Sequence, residues 1–158
     1  FSEKLFNEKK NKFKTISLRI PGVLALNLSR HQPLMVNIVK KIINGENVYA
    51  YNLNSKFNNI TDSYEIAKFI NMILKKKKIN TSVYNFSASQ PIKVISVIDL
   101  IKKIFKSKSK VIQQKINKTS FIISNKKIKK DFNHKISTTK DIITRCCRRI
   151  LNTNYKVI

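Results

Sequence analysis

The sequence predicts an α/β fold, because short β-branched segments alternate with amphipathic helical segments along the chain. Thr15–Ile20 is rich in β-branched residues and runs into Pro21-Gly22, as expected of a strand that ends in a turn. Leu34 to Ile43 carries apolar side chains at helical spacing. Thr81–Ser89, followed by a helix over Val97–Phe105, repeats the order of strand and helix.

The other elements follow from start and stop signals between these segments. Asn44-Gly45 ends the first long helix, and Lys75–Lys78 ends the second, where cations favour the helix dipole. The remaining predictions are a helix end over 1–13, a loop over 23–32, a strand at 47–52, an extended segment at 56–61, a strand or extended segment at 110–116, a short helix at 125–130, a loop at 131–136 and a final helix through Ile142, Ile143, Cys146 and Ile150.

Acidic and hydroxyl residues mark the helix starts. Three pairs have the spacing of a capping box, in which the two side chains satisfy free backbone N–H groups: Asp62 with Glu65, Ser96 with Asp99, and Thr138 with Asp141. Ser124 is expected to cap the short helix after it. The helix after Asp62 is expected to bury an apolar stripe of Ile66, Phe69, Ile70, Ile73 and Leu74.

The formal net charge of +25 leaves two interpretations open. One is a polyanionic partner such as RNA or a phosphorylated substrate. The other is codon bias, since Lys, Asn and Ile are what an AT-rich genome encodes and charge runs are usually solvated. A nucleic-acid binder should display aromatic residues for base stacking. Here Tyr49, Phe69, Tyr84 and Phe86 have the spacing of core residues instead.

The cysteine and acidic residues exclude several kinds of site. Cys146 and Cys147 are adjacent, so we expect free thiols in a reducing compartment, and no Cys/His spacing predicts a metal site. The eight acidic residues are mostly helix caps, which leaves no paired-carboxylate site or catalytic triad. No apolar run reaches the length of about 18 residues that a membrane span needs. No secretory signal opens the chain, and we expect a cytoplasmic protein.

Several motifs in a fixed order carry a resemblance to a known family. They are Ser2-Glu3-Lys4 with Glu8, SLRIPGVLA at 17–25, FNNITDSYEIAKFI at 57–70, VYNFSASQPIKVISVIDLI at 83–101 and FIISNKKIKKDFNHKISTTKDII at 121–143. In this order the chain resembles the C-terminal half of the extended short-chain dehydrogenase/reductase family, of the NAD-dependent epimerase/dehydratase type. The match covers almost the whole chain, and VYNFSASQPIKVISVIDLI is its most specific part.

The resemblance implies a single fragment over 1–158: the last strands of a Rossmann-like sheet with the substrate-binding lobe. The N-terminal dinucleotide-binding part would be absent, because Gly22 and Gly45 are the only glycines and neither lies in a Gly-rich phosphate-binding turn. The parent would be an NAD- or NADP-dependent epimerase, dehydratase or reductase of nucleotide sugars, serving polysaccharide biosynthesis. This chain alone would be inactive.

The resemblance also implies roles for five residues. Lys4 would be the catalytic lysine that also holds the cofactor, and its tyrosine partner would directly precede Phe1. Pro21 would lie against the nicotinamide. Arg30, His31 and Lys56 would face the diphosphate of the substrate. Each residue has a simpler interpretation as a solvated surface side chain or, for Pro21, a turn residue.

Two alternatives remain open from the sequence. One is a basic RNA- or polyanion-binding protein associated with the ribosome. The other is a degenerate relative of the family without catalysis, which the altered Thr61-Asp62-Ser63-Tyr64-Glu65 segment favours, because the family has an aspartate and a histidine there. Partners implied by the enzyme interpretation are a nucleotide sugar and either an N-terminal half or further copies of the chain. We expect the isolated chain to aggregate through an exposed sheet edge.

Overall fold

The computed structural model describes residues 3–4, 8, 14–24, 34–76, 78–115 and 119–153. Eight strands and five helices follow one another in the described part. The strands are β1 (Ile16–Arg19), β2 (Gly22–Leu24), β3 (Val48–Ala50), β4 (Lys56–Phe57), β5 (Ile60–Asp62), β6 (Ser82–Asn85), β7 (Ile92–Lys93) and β8 (Val111–Gln113). The helices are α1 (Leu34–Ile43), α2 (Ser63–Leu74), α3 (Val94–Phe105), α4 (Lys126–Phe132) and α5 (Thr139–Asn152). The expected α/β class is confirmed.

The strands pair in twos, and every pair joins distant segments. β1 pairs with β6, β2 with β5 and β3 with β8, all in parallel. β4 and β7 pair antiparallel. Parallel neighbours need a crossover between them, and α1 and α2 lie in these crossovers. Long-range pairing of this kind places β1 beside β6 and β2 beside β5, although the paired strands are far apart in sequence.

Two apolar cores hold the elements together. The larger core lies among α1, α3 and α5 and includes fully buried Val39, Ile98 and Ile143. The smaller core joins β6, α2 and α4 through Phe69, Phe86 and Ile128, with the Phe69 and Phe86 ring centroids 5.1 Å apart. The smaller core therefore packs the β1–β6 pair against α2 and α4.

Most elements appear where the sequence predicts them. The strands around 15–20, 47–52 and 110–116 are confirmed in shorter form, and Gly45 adopts φ +71°, which a glycine tolerates after a helix. The predicted loop after Gly22 is wrong at its start, because Gly22–Leu24 pairs with β5. The short helix runs two residues further than predicted, to Phe132, because that side chain packs into the smaller core.

The capping predictions succeed where the partner is local. Asp62 accepts the N–H of Glu65 at 2.9 Å, although Glu65 does not complete the box. Thr138 and Asp141 form a full capping box. For the helix start, Ser124 accepts the N–H of Lys126 at 3.4 Å, while Asn125 holds the cap position itself.

The predicted Ser96–Asp99 box is wrong. Helix α3 starts at Val94, and its cap residue Lys93 makes no side-chain cap bond. The N–H groups of Val94 and Ile95 instead donate to the carbonyls of Ser55, at 3.0 Å, and Leu53, at 2.9 Å. A distant loop thus satisfies the free groups of this helix start, and Ser96 lies inside the helix.

Three apolar residues predicted to be buried are exposed. Ile70 is 45% and Leu74 is 78% exposed. The buried face of α2 carries Glu65 and Phe69, which are four residues apart and lie on the same side of the helix. Tyr49 is 48% exposed and lies 5.5 Å from Nζ of Lys41. The other aromatic core predictions, Phe69, Tyr84 and Phe86, are confirmed, as are Ile142, Ile143, Cys146 and Ile150 on α5. Most of the predicted helix end over 1–13 lies outside the described residues.

Candidate functional site: a cleft beside strands β1 and β2

An open cleft of about 260 Å³ lies between β2, the start of α1 and the segment before β5. Its walls are mostly apolar and comprise Gly22, Val23, Leu24, Leu34, Met35, Val36, Phe57, Asn59 and Ile60. Ligand pockets usually enclose roughly 300–1,000 Å³. This cleft is smaller, so alone it would enclose only part of a nucleotide sugar.

Asn59 supplies a polar atom in the cleft wall. Its Oδ1 is buried and has no hydrogen-bond partner within the described part of the chain. Buried polar atoms are nearly always paired, so an isolated one in a cleft is suited to accept a hydrogen bond from a bound hydroxyl or amide. The sequence analysis missed Asn59, because an asparagine in an extended segment carries no sign of its burial.

Pro21 lies where the chain passes from one strand pair to another. β1 ends at Arg19 and pairs with β6, while β2 begins at Gly22 and pairs with β5. Pro21 is half-buried between them. It therefore directly precedes the cleft-lining residue Gly22, between the two strand pairs.

Lys4 follows Glu3, whose side chain is hydrogen-bonded to Arg19 at the carboxyl end of β1. Glu3, Lys4 and Glu8 have helical backbone, and Lys4 is exposed. The preceding residue, Glu3, accepts two hydrogen bonds from Arg19, from Nε at 3.0 Å and Nη2 at 2.7 Å. This bidentate hydrogen bonding to Arg19 lowers the pKa of Glu3. Lys4 thus stands next to a residue fixed on the last residue of β1.

Lys56 lies beside a second cation that the sequence did not reveal. It is exposed in β4, and its directly opposite residue in the antiparallel pair is Lys93 of β7. Like charges at opposite positions of a strand pair repel each other. A bound anion would relieve this repulsion, which makes the Lys56–Lys93 pair a candidate phosphate contact. Arg30 and His31 lie outside the described residues.

A buried ionic cluster lies at the end of β5 and the start of α2. Arg145 of α5 donates from Nε to Asp62 at 2.8 Å and lies 3.4 Å from Glu65. Both carboxylates are almost completely buried. Ser137 donates to Glu65 from its N–H at 3.2 Å and from its hydroxyl at 2.5 Å. The cluster joins β5, α2 and α5 and has the character of a structural support, since its oxygens are occupied by the protein.

The cysteines are confirmed as free thiols and are unsuited to nucleophilic chemistry. Cys146 and Cys147 are both buried. Burial raises the pKa of each thiol to about 12, and the charge of Asp62 adds to the effect at Cys146. At neutral pH both are therefore protonated. Within the described ranges, no group of three or more His, Cys, Asp or Glu side chains is placed to hold a metal ion.

The described chain contains no helix long and apolar enough to cross a membrane. Its glycines do not form a cradle for a dinucleotide: Gly22 begins β2 and Gly45 follows α1. Neither glycine therefore lies in a Gly-rich turn of the kind that holds the pyrophosphate of NAD or NADP.

Comparison with solved structures identifies the architecture. UDP-glucose 4-epimerase from Thermotoga maritima, solved with UDP-glucose, matches with a TM-score of 0.77 at 12% identity, over 98% of this chain and 52% of that one. RMD from Pseudomonas aeruginosa, solved with NADPH, matches with a TM-score of 0.75 at 12% identity, over 98% and 54%. The dTDP-glucose 4,6-dehydratase from Bacillus anthracis, solved with NAD, matches with a TM-score of 0.68 at 15% identity, over 95% and 48%.

Sequence comparison adds no further relative: no protein-family model and no curated protein matches the chain. The chain spans about half the length of the solved structures it matches. Those structures are nucleotide-sugar epimerases and dehydratases and related enzymes. The chain therefore has the fold of about half of an extended short-chain dehydrogenase/reductase of the epimerase and dehydratase type.

Proposed function

We propose that this chain is the C-terminal, substrate-binding part of an NAD- or NADP-dependent epimerase, dehydratase or reductase acting on a nucleotide sugar. The observation that carries the proposal is the fold match over nearly all of this chain with enzymes solved with UDP-glucose, NADPH or NAD. The N-terminal dinucleotide-binding part would come from another segment or chain, since this one has no Gly-rich turn.

An open sheet edge supports the proposal of a missing part. Among the described residues, β1 pairs with β6 alone, so its other edge offers unpaired backbone groups. Parallel sheets of α/β proteins normally continue and are covered on both faces. Exposed Ile70 and Leu74 on α2 agree with a face that another part of the enzyme covers. A second copy of the chain is the other candidate for this role.

Each site residue has a role in this proposal. Lys4 would stand beside the catalytic tyrosine, whose phenol has an ordinary pKa of about 10 and needs a neighbouring cation to act as a base near neutral pH. Pro21 would lie against the nicotinamide. Lys56, with Lys93 opposite, would contact the diphosphate, together with Arg30 and His31. Asn59 would bind a sugar hydroxyl.

The proposed chemistry also indicates the cellular compartment of the protein. Nucleotide sugars of this kind supply polysaccharide biosynthesis, and we place the protein in the cytoplasm with them. The free, buried thiols agree with a reducing compartment. Phe69, Tyr84 and Phe86 are buried and unavailable for base stacking, whereas Tyr49, Tyr64 and Phe121 are exposed, so the nucleic-acid alternative stays open.

The test uses the natural protein that contains this chain. It is incubated with UDP-glucose, UDP-N-acetylglucosamine or dTDP-glucose in the presence of NAD or NADP, and the sugar products are separated by chromatography. We expect turnover of one of these substrates, and a loss of at least about a hundredfold in kcat for Lys4→Met, in line with general acid–base catalysis. Lys103→Met, at an exposed lysine of α3, is the matched control.

Two outcomes would count against the proposal. Absence of turnover with all three substrates and both cofactors, together with absence of nucleotide-sugar binding, would overturn it. Binding without turnover, and no effect of Lys4→Met, would favour the degenerate relative, in which the substrate lobe persists without catalysis.

A further inference from the structure

A second, larger cavity lies away from the cleft, between the segment after β6 and helix α4. Its volume is about 740 Å³, within the range of roughly 300–1,000 Å³ typical of small-molecule pockets. The cavity is lined by Asn58, Ala88, Ser89, Gln90, Pro91, Ile122, Ile123, Ser124, Asn125, Lys126, Lys129, Asn133, His134, Lys135 and Ile136. Neither the resemblance nor the proposed reaction uses it.

The cavity is distinct from the cleft, although both touch the segment before β5. Phe57 and Asn59 line the cleft, and Asn58 between them lines the cavity. The cleft and the cavity have no lining residue in common.

Two asparagine side chains fix the cavity wall. Asn58 donates from Nδ2 to the carbonyls of Ala88, at 2.9 Å, and Ile123, at 2.8 Å, and its Oδ1 accepts the N–H of Ile123 at 2.9 Å. Asn125 donates to the carbonyl of Ser87 at 2.6 Å and accepts its N–H at 3.2 Å. These bonds tie the segment around Ile123 to the segment after β6. The wall is thus formed before any ligand arrives, which lowers the entropic cost of binding.

The wall is apolar where it is deep and cationic where it is exposed. Ala88 and Ile136 are buried, and Pro91 and Ile123 are half-buried. Lys126, Lys129 and Lys135 are exposed around them, and among the described residues none of their ammonium groups has a carboxylate partner.

Acidic groups do not neutralise these cations. None of the described lining residues is Asp or Glu. Asp131, on the same helix as Lys126 and Lys129, accepts a hydrogen bond from the hydroxyl of Tyr84 at 2.9 Å. Three like charges over one apolar cavity attract an anion and are themselves stabilised by it.

His134 adds a buried polar group to the wall. Its side chain is 8% exposed, it packs 5.1 Å from the Phe69 ring, and its Nε2 has no hydrogen-bond partner in the described part of the structure. Burial, aided by the charge of Lys68, lowers the pKa of His134. The imidazole is therefore neutral at pH 7 and leaves the lysines as the charged groups of the cavity.

We propose that this cavity binds a small amphipathic anion: an aliphatic or aromatic body that lies on Pro91, Ile122 and Ile123, with one carboxylate or phosphate group held by Lys126, Lys129 and Lys135. The apolar wall and the cationic rim recognise the two ends of the same molecule. The cavity and the cleft share no lining residue, so the proposed ligand and a nucleotide sugar would occupy separate spaces.

The test measures binding to the natural protein by isothermal titration calorimetry with four probes. Octyl phosphate and octanoate carry both parts of the ligand, octanol lacks the anion, and inorganic phosphate lacks the apolar body. We expect one amphipathic anion, or both, to bind at least about tenfold more tightly than octanol and inorganic phosphate, a difference of roughly 1.4 kcal/mol. The ratio between octyl phosphate and octanoate identifies the anionic group.

Matched variants separate the cavity from the general charge of the chain. The triple variant Lys126→Gln, Lys129→Gln, Lys135→Gln should weaken binding of the amphipathic anion at least about tenfold. The control Lys103→Gln, Lys108→Gln, Lys110→Gln removes the same charge at exposed positions outside the cavity and should leave the affinity unchanged. Ile122→Asp, at a residue 56% exposed, should weaken binding without a change in thermal unfolding.

An equal loss of affinity for the amphipathic anion in both triple variants would overturn the proposal, because binding would then depend on net charge alone. Equal affinity for octanol and for the anions would also overturn it, as would failure of both amphipathic anions to bind. These outcomes do not depend on nucleotide-sugar turnover, so they leave the proposed enzymatic function to its own test.

Discussion

Arg145 joins helix α5 to the start of helix α2: its Nε donates to Oδ2 of Asp62 at 2.8 Å, across 83 positions of sequence. The same guanidinium lies 3.4 Å from Glu65 and stacks 4.7 Å from the ring of Tyr64. Two buried carboxylates thus depend on one cation, and Ser137 supplies the other hydrogen bonds of Glu65. A buried charge that loses its partner is costly, so this contact should control the stability of the region where β5, α2 and α5 meet.

Arg145→Met should lower the free energy of unfolding by about 3 kcal/mol, because Asp62 and Glu65 would stay buried without a cation. Urea unfolding followed by circular dichroism measures the change. Arg148→Met removes an exposed arginine of the same helix and should change stability by less than about 0.5 kcal/mol. The triple variant Arg145→Met, Asp62→Asn, Glu65→Gln should recover part of the loss. If Arg145→Met and Arg148→Met change the free energy of unfolding by the same small amount, the ionic cluster adds no net stability.

Two of the three candidate capping boxes, at Thr138 and at Ser96, should differ in energy although their sequence patterns look alike. Thr138→Ala removes the hydroxyl that accepts the N–H of Asp141 at 3.1 Å and should cost about 1 kcal/mol. Ser96→Ala changes a residue inside α3 and should be neutral or slightly stabilising, since alanine favours helix interiors. Thermal unfolding measures the stability of both variants. A larger loss of stability for Ser96→Ala than for Thr138→Ala would contradict the backbone capping by Ser55 and Leu53.

The thiols should be unreactive in the folded protein. Burial raises the pKa of Cys146 and Cys147 to about 12, so the folded state holds both protons more tightly than the unfolded state. Their stabilising effect is complete below the unfolded pKa, about 8.5, and is lost as the pH rises towards 12. Ellman's reagent at pH 8 should modify neither thiol before unfolding and both in denaturant. Rapid modification of a folded protein would contradict the burial of α5.

The isolated chain should aggregate through its open edge and the exposed face of α2. Ile70→Lys with Leu74→Lys should reduce light scattering, because both side chains are exposed and apolar. Tyr49→Lys, at another exposed apolar residue, is the matched control and should have little effect. A monodisperse wild-type chain with a sharp cooperative melt would show that the described elements form a complete domain.

Local signals predict much of this fold, and long-range contacts explain what they miss. The strand at Thr15–Ile20 and the cap at Thr138 depend on neighbouring residues and are confirmed. The start of α3 depends on carbonyls of Leu53 and Ser55, about forty positions away, so the local Ser96 signal was misleading. Ile70 and Leu74 fit a helical stripe, but Glu65 faces inward to meet Arg145, and a periodicity of apolar residues does not reveal that.

The candidate site likewise combines residues that the sequence indicates with residues that only the fold brings together. The resemblance named Lys56, but only the pairing of β4 with β7 reveals Lys93 opposite it. Asn59 looks like an ordinary polar residue until the fold buries its Oδ1 in the cleft. The second cavity arises from segments around Ala88, Ile123 and Lys129 that have no sequence pattern in common.

The most direct test of the central claim is calorimetric binding of UDP-glucose and dTDP-glucose to the natural protein that contains this chain. We expect that one of them binds, that Lys56→Glu with Lys93→Glu weakens binding at least about tenfold, and that Lys103→Glu with Lys108→Glu does not. A protein that binds neither nucleotide sugar, or that loses affinity equally in both double variants, would contradict the assignment of a substrate-binding lobe.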